Sequence, residues 1–219
     1  MSYAVKEMFL TLQGEGVRSG RRAVFLRFAG CNLWTGREQD RGKAICRFCD
    51  TDFVGTDGEN GAKYADAAAL VAKAASLWGD GLGERYIVLT GGEPMLQVDD
   101  PLVDALHGAG FEIAIESNGT LPVHSGIDWI CISPKAGSEV VQRCGDELKL
   151  VWPQPSPALA GHDFADMGQW DFANHLLQPL DDIDLPAGDD RHRLACIEKV
   201  MEHPHWRLTL QTHKMLGLK

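Results

Sequence analysis

Short apolar runs rich in β-branched residues recur along the chain, separated by turn signals. Such runs predict buried β-strands. The seven predicted strands are Ala23–Phe28, Arg85–Leu89, Glu112–Glu116, Trp129–Ile132, Glu147–Val151, His175–Leu177 and Arg207–Leu210. Apolar residues at helical spacing predict helices over Ala65–Trp78, Pro101–Ala109 and about Arg191–Met201. The segment Trp152–Trp170 has little periodicity and is predicted to be loop with a short helix.

Alternation of strands and helices favours parallel pairing with right-handed crossovers. With 219 residues the chain is shorter than the roughly 250 residues of a typical closed barrel of eight strand–helix units. We therefore expect a single α/β domain over residues 1–219, built as an incomplete, open βα barrel with a mostly parallel sheet. The segment Leu185–Asp190 is interpreted as a surface insertion.

Composition narrows the function classes. The net charge of −10 argues against a nucleic-acid partner, whose phosphates need clustered Lys and Arg. No apolar run reaches the roughly 20 residues of a membrane span, and the first residues do not have the apolar core of a signal peptide. We expect a cytoplasmic protein that acts on a small molecule. Its six cysteines should then be reduced thiols, available for metal binding or catalysis.

Three cysteines share one loop. Cys31 follows the first predicted strand, and Cys46 and Cys49 complete a C-x14-C-x2-C pattern. A cubane iron–sulfur cluster held by three thiolates keeps one iron open to an outside ligand, which suits catalysis. A zinc site completed by a histidine is the alternative that the cysteines alone leave open.

A second motif follows the predicted strand Arg85–Leu89. The sequence T-G-G-E-P, Thr90–Pro94, places two glycines where ligands of parallel sheets gather, and Glu93 offers acceptor atoms there. An ordinary strand-to-helix turn would explain the same residues.

Together the two motifs resemble the radical S-adenosylmethionine superfamily, with Phe48 at the aromatic position between the last two cysteines. The fourteen-residue spacing departs from the common three-residue one and resembles the 7-carboxy-7-deazaguanine synthase (QueE) family. The other matching segments are F-L-T-L-Q-G-E-G (Phe9–Gly16), F-L-R-F-A-G-C-N-L-W (Phe25–Trp34), C-D-T-D (Cys49–Asp52), E-S-N-G-T (Glu116–Thr120), S-P-K (Ser133–Lys135), Q-P-L (Gln178–Leu180) and Q-T-H-K (Gln211–Lys214).

The resemblance implies a lyase of queuosine and 7-deazapurine biosynthesis. Its reaction would contract the ring of 6-carboxy-5,6,7,8-tetrahydropterin to 7-carboxy-7-deazaguanine with loss of ammonia and with S-adenosylmethionine regenerated. The implied cofactors are a [4Fe–4S] cluster, S-adenosylmethionine and Mg²⁺. The implied partners are the pterin substrate, an electron donor such as flavodoxin and a second copy of the chain.

The resemblance also implies roles for individual residues. Cys31, Cys46 and Cys49 would hold the cluster, and Thr51 the magnesium. Cofactor-binding residues would be Phe48, Cys49, Asp50, Gly92, Glu93, Ser133, Pro134, Lys135, Gln178, Pro179, Leu180 and Asp181. Substrate-binding residues would be Leu12, Gln13, Gly14, Glu15, Arg27, Thr90, His213 and Lys219. Glu116 and His213 are the residues that could handle protons.

Several of these residues have simpler explanations. Thr51 could cap a turn, and Lys135 could be a solvated lysine at a strand end. Arg27 could form a salt bridge with Glu15 or Glu116 instead of binding a substrate carboxylate. Lys219 stands where the family is expected to end in proline, which bears on the contact of the terminal carboxylate.

Gln13 and Glu15 alone would be ordinary surface residues, and either Asp181 or Asp182 could be solvated. Two other functions fit part of the pattern. A glycyl-radical-activating enzyme belongs to the same superfamily but usually has the short cysteine spacing. A zinc-stabilised binding module would need a fourth ligand and would leave the T-G-G-E-P turn without a role.

Overall fold

A computed structural model describes residues 2–80, 83–154, 164–181 and 189–219. Over these residues the chain forms one nine-stranded sheet and five α-helices. The strands are β1 (Tyr3–Leu12), β2 (Arg22–Phe28), β3 (Ala62–Tyr64), β4 (Arg85–Gly91), β5 (Phe111–Ser117), β6 (Trp129–Ile132), β7 (Cys144–Trp152), β8 (Asp171–Pro179) and β9 (Trp206–Leu208). The helices are α1 (Ala67–Trp78), α2 (Asp100–Gly108), α3 (Phe164–Met167), α4 (Arg191–Glu202) and α5 (Thr212–Leu216).

The sheet runs β3-β1-β2-β4-β5-β6-β7-β8-β9. All neighbours from β2 to β9 pair in parallel, while β1 pairs antiparallel with β2 and with β3. The order does not close on itself within the described residues. The predicted α/β class with an open, mostly parallel sheet is confirmed.

All seven predicted strands exist, but the sequence prediction missed β1 and β3. The last strand ends at Leu208 instead of Leu210. The β1 segment escapes a simple pattern because its register with β2 shifts between Val5 and Glu7, so its buried positions do not alternate regularly. β3 is only three residues long.

Capping residues explain where the two long helices of the first half begin. Asp66 accepts a hydrogen bond from the amide of Ala69 and Asp99 accepts one from Leu102, each as the residue before its helix. The predicted start of α1 at Ala65 is therefore two residues early. Pro101, near the start of α2, needs no amide partner there.

Two apolar clusters hold the layers together. The larger one lies between β1, β2, β4 and β5 and the inner faces of α1 and α2. The smaller one packs β7 and β8 with the region around Trp206 and α4. Cys131 and Cys196 are buried, as expected for cysteines that serve as core residues.

The short helix predicted between Trp152 and Trp170 is α3, and residues 155–163 lie outside the described part. Residues 185–188 of the predicted insertion and Asp182 also lie outside it. Within the described residues, none of the helices has the length and apolar character of a membrane span.

Candidate active site

One cavity of about 470 Å³ opens where the parallel strands end. The carboxyl ends of β2, β4, β5, β7 and β8 contribute to its wall, together with the cysteine loop, the segment after β1 and α5. Ligand sites of open parallel sheets lie at this edge. All the predicted site residues line the cavity except Cys31, Glu93 and Pro134.

Two of the three loop cysteines are joined by a hydrogen bond between their side chains. The Cys46 thiol donates a hydrogen bond to Cys49, which lowers the pKa of Cys49 to about 6 and raises that of Cys46. Lys135 adds a smaller favourable charge to both thiols. The thiolate form of Cys49, which is the form that binds iron, is therefore favoured.

Cys31 lies behind the glycine turn. Burial raises the pKa of its thiol, and its Sγ accepts a hydrogen bond from the amide of Leu33 at 3.4 Å. A Cβ added at Gly92 would lie 2.2 Å from the carbonyl oxygen of Gly30 and 2.7 Å from Cβ of Cys31. Glycine is thus required at position 92 for the turn to pack on the cysteine loop.

The donor set suits an iron–sulfur cluster better than a single ion. Within the described ranges, no three His, Cys, Asp or Glu side chains converge closely enough to hold one metal ion. A cubane presents a different iron to each thiolate, so its three ligands need not converge on one point. Cys31, Cys46 and Cys49 are free thiols on one loop beside the cavity, which fits such a cluster.

Glu93 and Pro134 do not line the cavity, and their assignment as cofactor-binding residues stays a prediction. The Glu93 carboxylate is fully buried and accepts hydrogen bonds from Ser117 Oγ at 2.9 Å and the Asn118 amide at 2.8 Å. It holds the glycine turn against the end of β5. Pro134 is buried, and its carbonyl accepts a bond from Gln154 Nε2 at 2.9 Å.

Arg27 forms an ion pair, but with neither of the partners considered from the sequence. Its Nε donates to Glu7 Oε1 at 2.9 Å. The two residues are directly opposite on antiparallel β2 and β1, so the pairing follows from strand register. Glu7 was not identified because β1 was not predicted.

The inner wall carries a buried charge network that the sequence did not reveal. Lys149 Nζ on β7 contacts Glu15 and lies 3.0 Å from Glu116 Oε2 on β5. Gln13 Nε2 donates to Glu116 Oε1 at 2.9 Å, and Gln211 Nε2 donates to Glu15 Oε1 at 2.8 Å. Gln13 and Glu15 are therefore not ordinary surface residues.

The C-terminal segment covers one side of the cavity. Lys214 in α5 contacts Asp181 at the end of β8 and lies 2.7 Å from Asp50 Oδ2 on the cysteine loop. Asp181 is thus paired with Lys214. A Cβ on Gly14 would lie 2.1 Å from His213 Nδ1, so glycine permits this close approach of α5.

The last residue also reaches the cavity wall. Lys219 Nζ lies 3.3 Å from Glu7 Oε2 and 3.1 Å from Glu59 Oε2, and it sits over the Phe9 ring. Thr11 Oγ1 donates to the main-chain oxygen of Lys219 at 3.2 Å. The chain terminus is therefore held beside the site by its side chain and by its main chain.

Thr51 and Lys135 both line the cavity. The Thr51 hydroxyl lies 3.4 Å from Asp50 Oδ1, a long contact within its own loop. Lys135 Nζ donates to Ser133 Oγ at 2.7 Å and lies 5.8 Å from the centre of the Phe48 ring. Both lie on the side of the cavity that carries the cysteines.

A lysine between two leucines of a predicted strand was the available signal for Lys149. It stands in the predicted strand Glu147–Val151, where an unpaired ammonium would be costly to bury. The pattern predicts that such a lysine has partners, but it does not identify them. Gln211 and Lys214 belong to the family-matching segment Q-T-H-K, whereas Glu7 carried no comparable signal.

An open, mostly parallel sheet, with a three-cysteine loop after its first parallel strand and a glycine turn after the next, defines the radical S-adenosylmethionine class of enzymes. The chain is 60% identical to the 7-carboxy-7-deazaguanine synthase of Burkholderia multivorans and 56% identical to that of Bradyrhizobium diazoefficiens, each over 100% of both chains. The chain belongs to the 7-carboxy-7-deazaguanine synthase family.

The solved structures agree with this relationship. The crystal structure of QueE from Escherichia coli matches with a TM-score of 0.67 and 26% identity, over 97% of this chain and 95% of that one. No family model matches the chain. The relationship therefore rests on full-length similarity to individual proteins and on the shared fold.

Proposed function

We propose that the chain converts 6-carboxy-5,6,7,8-tetrahydropterin to 7-carboxy-7-deazaguanine with loss of ammonia. The observation that carries the proposal is one cavity. The three-cysteine loop borders it on one side. Arg27 and the carboxylates and amides of Glu15, Glu116, Gln13 and Gln211 border it on the other. Its volume of about 470 Å³ is in the range of small-molecule sites.

The cofactor side would be the cysteine side. Cys31, Cys46 and Cys49 would hold a [4Fe–4S] cluster, which would supply the electron for reductive cleavage of S-adenosylmethionine. Phe48, Gly92 and Lys135 would contact S-adenosylmethionine there. Further contacts would come from Asp50, Ser133 and the strand end Gln178–Asp181.

The substrate would lie against the opposite wall. Arg27 presents further N–H donors beyond the Nε that binds Glu7, and a guanidinium fork suits the substrate carboxylate. Thr90 and the Leu12–Glu15 segment would contact the ring. Donors on the ring would find acceptors on Glu15 and Glu116, which both line the cavity.

Loss of ammonia requires proton transfers, because a leaving amine must gain a proton. Glu116 and His213 both line the cavity and would serve in this role. The position of Thr51 beside Asp50 supports a magnesium site shared with substrate oxygens and water, since Mg²⁺ prefers oxygen ligands. The main-chain carboxylate of Lys219 would be a further substrate contact.

The remaining expectations concern the setting of the reaction. Six cysteines that are all free among the described residues suit a reducing compartment, which supports a cytoplasmic enzyme. An electron donor such as flavodoxin would reduce the cluster. Homodimerisation follows from the family resemblance, and we expect the whole chain to act as one domain.

The test is turnover by the anaerobically reconstituted and reduced protein, with product and ammonia measured together. Cys46→Ala should abolish both. Cys144→Ala is the matched control, because Cys144 is exposed and lies at the opposite end of β7 from the cavity edge. Equal loss in both variants, or no product from the cluster-loaded wild type, would contradict the proposal.

A further inference from the structure

Lys149 is placed between two carboxylates that come from distant parts of the chain. Its side chain is 5% exposed, and Nζ contacts Glu15 and lies 3.0 Å from Glu116 Oε2. Glu15 follows β1, and Glu116 is on β5. Because all three residues line the cavity, the arrangement is part of the wall that a ligand would meet.

The two carboxylates are further oriented by amides. Gln13 donates to Glu116, while Gln211 and Gln178 donate to the same oxygen of Glu15 at 2.8 and 3.3 Å. Amides and ammonium all act as donors, so every contact that these groups make places a donor against a carboxylate oxygen. Two carboxylates and one ammonium leave the group with one net negative charge.

Other titratable groups face Lys149 from the elements packed against it. Glu147 on β7 and Cys131 on β6 act on its charge together with the two glutamates, and His213 in α5 acts on Glu15. Glu147 has its own partners, Trp129 Nε1 at 2.6 Å and the Val17 amide at 3.2 Å. Lys149 is therefore the cation that directly bridges Glu15 and Glu116.

We propose that Lys149 is a positioning residue that keeps Glu15 and Glu116 ionised together, so that the pair binds the substrate edge that carries several N–H donors. The proposal rests on the proposed function, in which that edge belongs to the pterin ring. An isolated pair of carboxylates in a buried site would share a proton, because like charges at short range cannot both ionise. A protonated carboxyl would offer the ring fewer acceptor sites.

The electrostatics of the group are consistent with this role. Burial alone would raise the pKa of Glu15, but Lys149, with smaller contributions from Gln211 and His213, outweighs burial and lowers that pKa to about 2. Burial opposes the charge on Lys149, yet Glu116 and Glu15 raise its pKa well above the ordinary value. Glu15 should thus stay ionised at neutral pH, beside a charged Lys149.

The experiment measures binding of 6-carboxypterin to the reconstituted protein with S-adenosylmethionine present. This compound has the same donor edge and carboxylate but no hydrogen at C6. The wild type should change its affinity less than about threefold between about pH 7.5 and about pH 5.5. Lys149→Met should bind about tenfold more weakly at the lower pH than at the higher one, because one carboxyl gains a proton.

A double variant separates charge balance from packing. Lys149→Met with Glu15→Gln retains the side-chain sizes and removes the like charge beside Glu116, so the steep pH dependence should disappear. If Lys149→Met fails to fold, the double variant alone must fold and bind with a flat profile.

Four results would overturn the proposal. Lys149→Met could keep the flat profile of the wild type, it could lose affinity equally at every pH, or the double variant could keep the steep dependence or fail to fold. These differ from failure of the proposed function, in which the wild type itself would not bind 6-carboxypterin.

Discussion

Arg27 and Glu7 lie directly opposite each other on antiparallel strands, and Arg27 Nε donates to Glu7 Oε1 over 2.9 Å. The second carboxylate oxygen of Glu7 lies 3.3 Å from Nζ of Lys219. One glutamate on β1 therefore links the proposed carboxylate-binding arginine to the last residue of the chain. A change at any of the three should affect the same end of the cavity.

Arg27→Lys should raise the KM for 6-carboxy-5,6,7,8-tetrahydropterin by about ten- to a hundredfold with a smaller change in kcat, because a lysine lacks the fork that binds a carboxylate through two parallel bonds. Steady-state kinetics will measure KM and kcat separately. Arg22→Lys is the control on the same strand, since Arg22 Nη2 binds the carbonyl of Trp78 away from the cavity. A KM unchanged in Arg27→Lys would remove Arg27 from the substrate site.

A peptide tag added after Lys219 should weaken substrate binding, because the main-chain oxygen of Lys219 is held beside the cavity by Thr11 Oγ1 at 3.2 Å. The same tag placed before Met1 is the control. We expect at least a several-fold rise in KM for the C-terminal tag alone. Full activity with the C-terminal tag would discard the terminal carboxylate as a ligand.

Lys214→Met should weaken S-adenosylmethionine binding several-fold, because Lys214 joins Asp50 on the cysteine loop to Asp181 at the end of β8. Isothermal titration calorimetry of the cluster-loaded protein will measure the affinity for S-adenosylmethionine. Lys199→Met is the matched control, since Lys199 pairs only locally with Glu202 on the exposed side of α4. Equal affinities in the two variants would show that the bridge does not shape the cofactor site.

Thr51→Ala should reduce turnover most at limiting magnesium while iron content stays unchanged, because the variant loses an oxygen ligand but no thiolate. Thr51→Ser keeps the hydroxyl and should behave like the wild type. Turnover and iron analysis across a magnesium series will separate the two variants. If both respond to magnesium as the wild type does, Thr51 is not a metal ligand.

Glu15→Gln should remove an acid-dependent part of the stability. The pKa of Glu15 is lowered from 4.5 to about 2, so its contribution is fully present above pH 4.5 and is lost as the pH falls towards 2. The difference in free energy of unfolding between wild type and variant should therefore shrink over that range. Urea denaturation at several pH values will measure it, and a difference independent of pH would contradict the pairing with Lys149.

The sequence predicted the parallel part of the fold well, because buried strands such as Tyr86–Leu89 are continuous apolar runs. β1 was missed since Lys6 and Glu7 interrupt its apolar run and a register shift lies between Val5 and Glu7. Charged residues in a strand usually lie on the exposed face, but Lys6 and Glu7 are not exposed. Lys6 bonds Asp57 at 2.7 Å, and Glu7 holds Arg27.

The site residues that could be predicted are those that belong to short sequence motifs. Only two residues separate Cys46 from Cys49 in the sequence, so their spacing alone indicates a shared metal site. Glu15 and Lys149 are 134 positions apart, and only the fold brings them together. The sequence also did not reveal the buried partners of Glu93, because Ser117 and Asn118 lie on the next parallel strand and just beyond its end.

The most direct test of the account is the electron paramagnetic resonance spectrum of the anaerobically reconstituted, reduced protein, recorded with and without S-adenosylmethionine. We predict a [4Fe–4S]⁺ signal that shifts when S-adenosylmethionine is added, because three cysteines leave one iron open to it. A protein without an iron signal and with zinc bound in its place would contradict the account.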